Sequence, residues 1–330
     1  MIKKEYKLSI CIATYNRAEF ISETLDSILC QINSKVEIVI VDGASTDDTE
    51  KVISKYCEEY ECINYYLLEK KGGVDYDYNK AVEFANGEMC WLFTDDDLLI
   101  PGAISTVLQE VSEGYSLIVV NSEICSKDFS KVLTQKIMSI NTKKEFLEHE
   151  FDSLFQTTIP YLSFIGGVVI NRNLWLSREK QKYFGTEFIH VGVIFQDYLP
   201  APALVIAEPL ISIRLGNASW TARNFEIWIF KWPNLLSSFE KISEQFRKEY
   251  IDKHSWRRFK NIMIIHAQNS YSIIEYKKWF KNEDTPIYWK FMILILSLLP
   301  SYFSKTVIRL YLRIVNKNAL NLMKQSLPQH

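Results

Sequence analysis

Apolar and polar positions along the first 125 residues switch between two periods. Short apolar runs at Leu8–Ala13, Val36–Val41, Ile63–Leu68, Met89–Phe93 and Leu117–Asn121 predict strands. Between them, apolar residues return every three or four positions. Phe20, Ile21, Thr24, Leu25, Ile28 and Leu29 place one helix over Glu19–Leu29. A second starts at Ser45-Thr46-Asp47-Asp48, which has capping-box character, and runs to about Tyr60. Tyr76–Ala85 is a third, and Pro101 suits the first turn of a fourth. Strand and helix in alternation predict an α/β domain with a mostly parallel, Rossmann-like sheet flanked by helices. Residues 126–215 are less regular. Phe164–Ile170 reads as a strand preceded by a mobile loop, and Ala203–Arg214 has short strand character. Beyond about Trp220 the pattern is helical and rich in aromatic and basic residues.

In parallel sheets, ligands bind beyond the carboxyl ends of the strands. Three predicted strands end in polar groups: Thr14-Tyr15-Asn16-Arg17, Asp42-Gly43-Ala44-Ser45 and Asp95-Asp96-Asp97. The acidic triplet follows the apolar run Trp91-Leu92-Phe93 directly. If the chain stays extended there, Asp95 and Asp97 point the same way and Asp96 points elsewhere. Like charges so close call for a cation between them. Mg²⁺ fits, since it takes one or two carboxylates together with substrate phosphates. Alone, the triplet reads first as a solvated acidic turn that caps the helix after Pro101. Two further ligand-bearing strand ends on the same edge favour a metal–phosphate site.

The bulk numbers exclude some classes. With 330 residues, one large domain plus an appended region, or two domains, is expected. The net charge of −2, from 38 basic and 40 acidic residues, gives no electrostatic case for nucleic acid. Cys11, Cys30, Cys57, Cys62, Cys90 and Cys125 form no C-x-x-C pair. Cys11, Cys30 and Cys90 lie in apolar periodic runs, so they read as reduced core thiols of a cytosolic protein. The amino-terminal apolar stretch is too short for a signal peptide.

Together the strand-end motifs resemble family 2 glycosyltransferases of the GT-A fold. The matching residues are Ile12–Arg17, Val41–Asp47, Asn79-Lys80-Ala81 with Ala85–Glu88, and Thr94–Asp97, in the family's order and spacing. The resemblance covers roughly residues 7–215. Within the family, Gly72–Val82 followed by Trp91–Leu98 looks most like bacterial transferases that build O-antigen or other surface polysaccharide, including abequosyltransferase-like enzymes. It implies a catalytic domain over 1–220, with a nucleotide half to about 125 and an acceptor half over about 126–220. Residues 221–330 would form a helical carboxyl-terminal region. It further implies that Thr14, Tyr15 and Arg17 line the nucleotide pocket and that Asp42 accepts from the base. Asp75 and Lys80 would contact base, ribose or phosphates, with Asp96 toward the donor sugar. Asp95 and Asp97 would bind Mg²⁺ or Mn²⁺. The reaction would move a sugar from a nucleoside-diphosphate donor to an acceptor hydroxyl, with inversion.

The proton acceptor is less plain. Family members carry an acidic pair about twenty residues after a Gly-Gly loop. Gly166-Gly167 fits that loop, on the acceptor side, but the stretch twenty residues on, Gly185–His190, holds one acid. Glu187 is the first choice. His190, one helical turn away, can orient it, act as the base itself or bind the metal. Asp197 competes. Arg214, after a strand, would clamp the diphosphate, and Trp220 would stack on sugar.

Two other classes fit the motifs less well. A sugar nucleotidyltransferase should show a glycine-rich phosphate loop after the first strand, where this chain has Thr14–Arg17. A non-catalytic sugar-nucleotide-binding protein would not need an intact D-x-D. Finally, the uncharged 13-residue stretch Phe291–Phe303 contains Pro300 and is too short to span a bilayer. Trp289, Tyr302 and Tyr311 flank it, with Lys305, Arg309 and Arg313 beyond. That suits a helix pair lying on the inner face of a membrane, next to a lipid-linked oligosaccharide acceptor. Packing on the catalytic domain or on a second copy is the alternative.

Overall fold

In the computed structural model, the described residues are 5–216, 223–251, 258–280 and 286–315, with side chains to 311. The chain forms two compact units: Met1–Arg214 with Ser238–Arg247, and Leu215–Ser237 with Lys248–His330.

The first unit is built on one ten-stranded sheet. Its first part follows the predicted alternation: β1 (Leu8–Thr14), α1 (Ile21–Leu29), β2 (Val36–Asp42), α2 (Thr49–Glu59), β3 (Ile63–Leu67), α3 (Val74–Phe84), β4 (Met89–Phe93), β5 (Leu98–Leu99), α4 (Ala103–Val111) and β6 (Leu117–Cys125). Then come β7 (Val132–Thr134), β8 (Lys144–Phe146), α5 (Phe151–Thr158), β9 (Val168–Asn171), α6 (Arg172–Ser177), α7 (Ile189–Phe195) and β10 (Ala203–Arg214). The order is β3-β2-β1-β4-β9-β6-β10-β5, with β7 beside β6 and β8 beside β10. The strands β3, β2, β1 and β4 are parallel, as are β6 and β10. Between these blocks β9 runs antiparallel to β4 and to β6. The expected mostly parallel sheet is thus a mixed one: β3, β2, β1, β4, β6 and β10 run one way, and β9, β5, β7 and β8 run the other.

The central strands are continuous apolar runs because helices cover both faces. Ile10, Ile12, Ile38, Ile40, Trp91 and Phe93 are fully buried and pack with Leu25, Ile28, Ile104 and Val107 of the covering helices. The register matters for the site. Thr14 pairs with Asp42 and Ile12 with Phe93, so the chain leaves β1, β2 and β4 at one level.

Some local expectations change. The segment before β9 is a helix, α5, followed by a 3₁₀ turn at Ile165–Gly167. Ser45 does not cap α2, because its hydroxyl accepts from the Asn16 N–H. Cys30 caps the carboxyl end of α1 and is exposed rather than buried, and none of the six cysteines forms a disulfide.

The second unit is helical: α8 (Asn224–Glu226) running into a π-helical stretch at Ile227–Lys231, α9 (Trp232–Ser237), α11 (Phe259–Ala267), α12 (Ile273–Glu275), α13 (Ile287–Leu298) and α14 (Ser301–Val315). Between them α10 (Glu244–Tyr250) begins in the stretch that belongs to the first unit. Phe225, Ile229, Ile262, Tyr271, Phe280 and Ile293 form its core. The buried His266 ties α11 to the last two helices. Its Nε2 lies 3.0 Å from the Leu299 carbonyl and its Nδ1 lies 2.8 Å from the Ser304 hydroxyl. A carbonyl can only accept, so Nε2 carries the proton and Nδ1 accepts from Ser304. Among the described residues no single helix is long and apolar enough to cross a membrane; α13 and α14 meet at a 105° bend.

Candidate active site

The polar ends of β1, β2 and β4 meet on one edge of the first unit, and hydrogen bonds weld the first two turns together. The Gly43 N–H donates to the Thr14 carbonyl at 2.9 Å. Asn16, at φ +55°, accepts from the Thr46 N–H through Oδ1 at 2.7 Å, and Arg17 N–H donates to Thr49 Oγ1 at 2.8 Å. Tyr15 carries the Lys71 ammonium over its ring at 3.6 Å. Lys80, expected near the donor, pairs with Glu83 on α3 at 2.7 Å.

Asp42 is fully buried at this edge. It accepts from the Ser45 N–H at 2.7 Å and from the Tyr65 hydroxyl at 2.9 Å, so both oxygens hold the turn in place. The Tyr65 hydroxyl is pushed up, by burial first and then by that bond to Asp42.

The aspartates behave differently from the alternation argument. Residues 95–97 bend rather than stay extended, so the period of two does not hold. Asp95 and Asp96 share Arg17: Nε lies 3.4 Å from Asp95 and Nη2 lies 3.5 Å from Asp96. Asp97 turns inward, accepting from the Thr94 hydroxyl at 2.6 Å and the Arg214 N–H at 2.8 Å. Burial, then the Asp96 charge, pushes Asp95 up to about 7 against the pull of Arg17. The same two causes hold Asp97 well above the usual carboxylate range. This edge carries more negative charge than its two arginines neutralise. Hard, crowded carboxylates with elevated proton affinity are a donor set suited to a divalent cation. Asp95 is the more available member, because both Asp97 oxygens already have partners.

Arg214 is 8% exposed, and its guanidinium is committed inside the protein. It donates to the Asp96 carbonyl at 2.9 Å, to the Lys127 carbonyl at 2.6 Å and to Glu23, and it stacks 4.3 Å from the Phe129 ring centre. In this position it buttresses the aspartate bend rather than reaching out to a diphosphate. Gly166 and Gly167 are buried in the turn before β9, where an added Cβ would meet the Phe164 ring at 2.4 Å and the Tyr161 ring at 2.5 Å. Close packing of two aromatic rings explains that pair. Trp220 lies outside the described residues.

The three base candidates are separated by their surroundings. Glu187 is half-buried, in the loop before α7, at φ +74°. That left-handed conformation costs a non-glycine residue about 1 kcal/mol or more. His190 does not share a helical face with it, because α7 starts only at Ile189. The histidine is 1% exposed, Nε2 lies 2.8 Å from the Leu162 carbonyl, and burial holds its pKa down at about 4. It is a neutral core histidine. Asp197, beyond the other end of α7, is exposed and pairs with Lys241 at 3.7 Å.

Two acids in the first turn of α3 face this edge, and Asp75 ties it to the loop before α7. Asp75, expected at the nucleotide, spends both oxygens on backbone N–H groups of residues 187 and 189. Asp77 was not singled out from sequence. It is 4% exposed and lies against Gly43, its Oδ1 has no hydrogen-bond partner, and burial pushes it up to about 7. The only sequence signal for it was a second acid two residues after Asp75.

The model of "Glycosyl transferase family 2" matches residues 9–173, half of the chain. A Campylobacter jejuni protein named GalNAc(5)-diNAcBac-PP-undecaprenol beta-1,3-glucosyltransferase is 32% identical over 199 residues, 56% of this chain and 62% of its own length. The chain thus spans less than two thirds of that relative. Abequosyltransferase RfbV of Salmonella typhimurium is 28% identical over 279 residues, covering 78% of this chain and 80% of that one. Among solved structures, Staphylococcus aureus TarS 1-349 in complex with UDP superposes with a TM-score of 0.57 at 17% identity, over 80% of each chain. That likeness shows the GT-A fold.

Proposed function

The chain belongs to glycosyl transferase family 2, and from that premise we propose that it transfers a sugar from a nucleoside-diphosphate sugar to a hydroxyl of a lipid-linked glycan in surface-polysaccharide synthesis. One observation carries the reading. Thr14–Arg17, Asp42–Ser45 and Asp95–Asp97 leave three neighbouring strands at one level, and burial and mutual repulsion raise the proton affinity of Asp95 and Asp97 there. The name of the Campylobacter relative, with its PP-undecaprenol-linked glycan, supports the acceptor class.

In this reading Tyr15, Lys71 and Arg17 receive the donor nucleotide. Asp95 and Asp97 would hold Mg²⁺ or Mn²⁺, which offsets charge on the leaving diphosphate. The acceptor hydroxyl attacks the anomeric carbon as the bond to the diphosphate oxygen breaks, and a single displacement inverts that centre. Glu187 takes the hydroxyl proton, a contribution of roughly 10²–10⁴-fold. It is preferred over His190, which is buried and neutral, and over Asp197, which is tied to a surface lysine. Arg214 acts indirectly, by fixing the bend that carries Asp96.

A thermal-shift screen of UDP, GDP, CDP and dTDP sugars with Mn²⁺ or Mg²⁺ tests the donor, because a ligand that binds only the folded state raises its melting point. One class should stabilise the protein in a metal-dependent way. No response from any of them, together with no nucleotide release, contradicts the proposal.

The second unit supports membrane-surface association. Tyr288, Phe291, Leu298, Tyr302, Phe303 and Leu310 are exposed on α13 and α14, which carry Lys290, Lys305 and Arg309 and no acidic residue. An apolar, basic surface of this kind suits an anionic bilayer. Flotation with phosphatidylglycerol vesicles should retain the full chain and lose it on Phe291→Glu with Phe303→Glu. Equal recovery of both proteins rules the idea out, and dimerisation abolished by the same changes assigns the face to a second copy.

A further inference from the structure

Helix α7 begins at Ile189, and the residue before it, Phe188, offers no side-chain cap. A local Ser, Thr, Asp or Asn would ordinarily fill that role. Instead the cap comes from the other half of the domain. Asp75, 3% exposed in the first turn of α3, accepts from the Glu187 N–H at 2.8 Å and from the Ile189 N–H at 2.9 Å. These partners are 112 and 114 residues away. Burying a carboxylate this deeply is costly unless something requires it there.

The loop it grips needs holding. Gly185 and Glu187 both take left-handed backbone angles, φ +83° and +74°. On its far side every residue of α7 is buried, so the helix is fixed by packing. Before it, the Thr186 hydroxyl donates to the Tyr183 carbonyl at 2.7 Å and accepts from the Phe188 N–H at 3.1 Å, and the two bonds from Asp75 pin the backbone on either side of the Glu187 side chain. Two residues along the same turn, Asp77 lies against Gly43 at the end of β2. A single helical turn therefore touches the turn assigned to the donor and the loop assigned to the proton acceptor.

We propose that Asp75 is a positioning residue: by clamping the backbone at 187–189 it sets where the Glu187 carboxylate stands relative to the donor edge. The inference rests on the assignment of Glu187 as the base. Misplacing a reacting group by about 1 Å costs on the order of 100-fold in rate, so the clamp has kinetic consequences that a simple helix cap lacks.

The test combines two measurements on the full chain. Asp75→Asn keeps the size of the side chain and removes one acceptor. Hydrogen exchange at the amides of Glu187 and Ile189 should quicken at least about tenfold, while the strand amides of β1 and β4 are unchanged. Nucleotide release from the sugar nucleotide that best stabilises the protein is then followed in a cycle of Asp75→Asn, Glu187→Gln and the double variant. Asp75→Asn should lower kcat roughly 10- to 100-fold with the donor KM unchanged. In the Glu187→Gln background it should cost nothing more, because the two act as a unit. Equal losses in both backgrounds, or unchanged exchange, overturn the proposal. Full turnover by Glu187→Gln alone overturns the base assignment instead, and the exchange result tells the two failures apart. If Asp75→Asn does not fold, Asp75→Glu, which keeps the charge and shifts the oxygens by one methylene, is read in the same way.

Discussion

The two ends of the central sheet in the first unit solve opposite problems. At the amino ends of the strands, the fully buried Glu37 has both oxygens satisfied. The Ser9 hydroxyl donates at 2.7 Å and the Asn86 N–H at 2.5 Å to one, with the Asn64 and Asn86 amides at 3.1 and 3.3 Å from the other. Gly87 N–H donates to the same Ser9, and an added Cβ there would meet Ser9 Oγ at 2.6 Å. At the carboxyl ends, Asp77 has an oxygen without a partner, and Asp95 and Asp97 repel Asp96. A closed polar network rigidifies and stabilises. An open one stores charge that a ligand can use, which is why perturbed acids gather at functional sites. The motif at Asn86-Gly87 thus belongs to the scaffold, and under the proposed function the motif at Asp95–Asp97 belongs to the donor site.

Four changes sharpen that contrast. The largest effect is expected at the open end: Glu187→Gln should lower turnover roughly 10²–10⁴-fold with donor affinity intact, read by steady-state kinetics beside calorimetry. Next, Glu37→Ala at the closed end should cost about 3 kcal/mol in a denaturant titration, because it takes the acceptor from the buried Ser9 hydroxyl and from the Asn86 N–H, while donor binding per folded molecule stays the same.

Third comes a pH effect of opposite origin. Asp77 stands at about 7 in the folded protein, against an ordinary value of 3.8. The folded state therefore binds the proton more tightly than the unfolded state. Its stabilising contribution is complete below about pH 4, is lost as pH rises toward 7, and is constant above that. Asp77→Asn should flatten part of this decline and raise the melting temperature at pH 8 by a few degrees. A melting profile with no slope between pH 4 and 7 contradicts the charge picture. The smallest effect belongs to the surface. Lys7→Ala removes an exposed pair with Glu88 at 3.0 Å and should change stability by less than about 1 kcal/mol.

The alternation of periods was enough to place β1 to β4 and their helices, because each buries a face set by local spacing. It also brought the right strand ends together. Contacts between distant segments were not legible. Nothing local marks Asp75 as the cap of a helix 114 residues on. Nothing local shows that Arg214 answers to carbonyls at 96 and 127 and to Glu23. The alternation rule failed at 95–97 because the strand ends at Phe93 and the chain bends. The pairing of Glu187 with His190 assumed a helix through both, whereas a left-handed residue precedes α7. β9 reads as an ordinary strand, and its reversed direction depends on the path of the chain rather than on its composition.

The central claim is that the open edge is a metal-dependent nucleotide site. Calorimetric titration of UDP with Mn²⁺ or Mg²⁺ into wild type, Asp95→Ala and Glu37→Gln tests it most directly, with GDP, CDP and dTDP as the parallel titrants. One nucleoside diphosphate should bind wild type and Glu37→Gln with similar affinity only when the metal is present, and Asp95→Ala should abolish this. Metal-independent binding, or binding that survives Asp95→Ala, would contradict it.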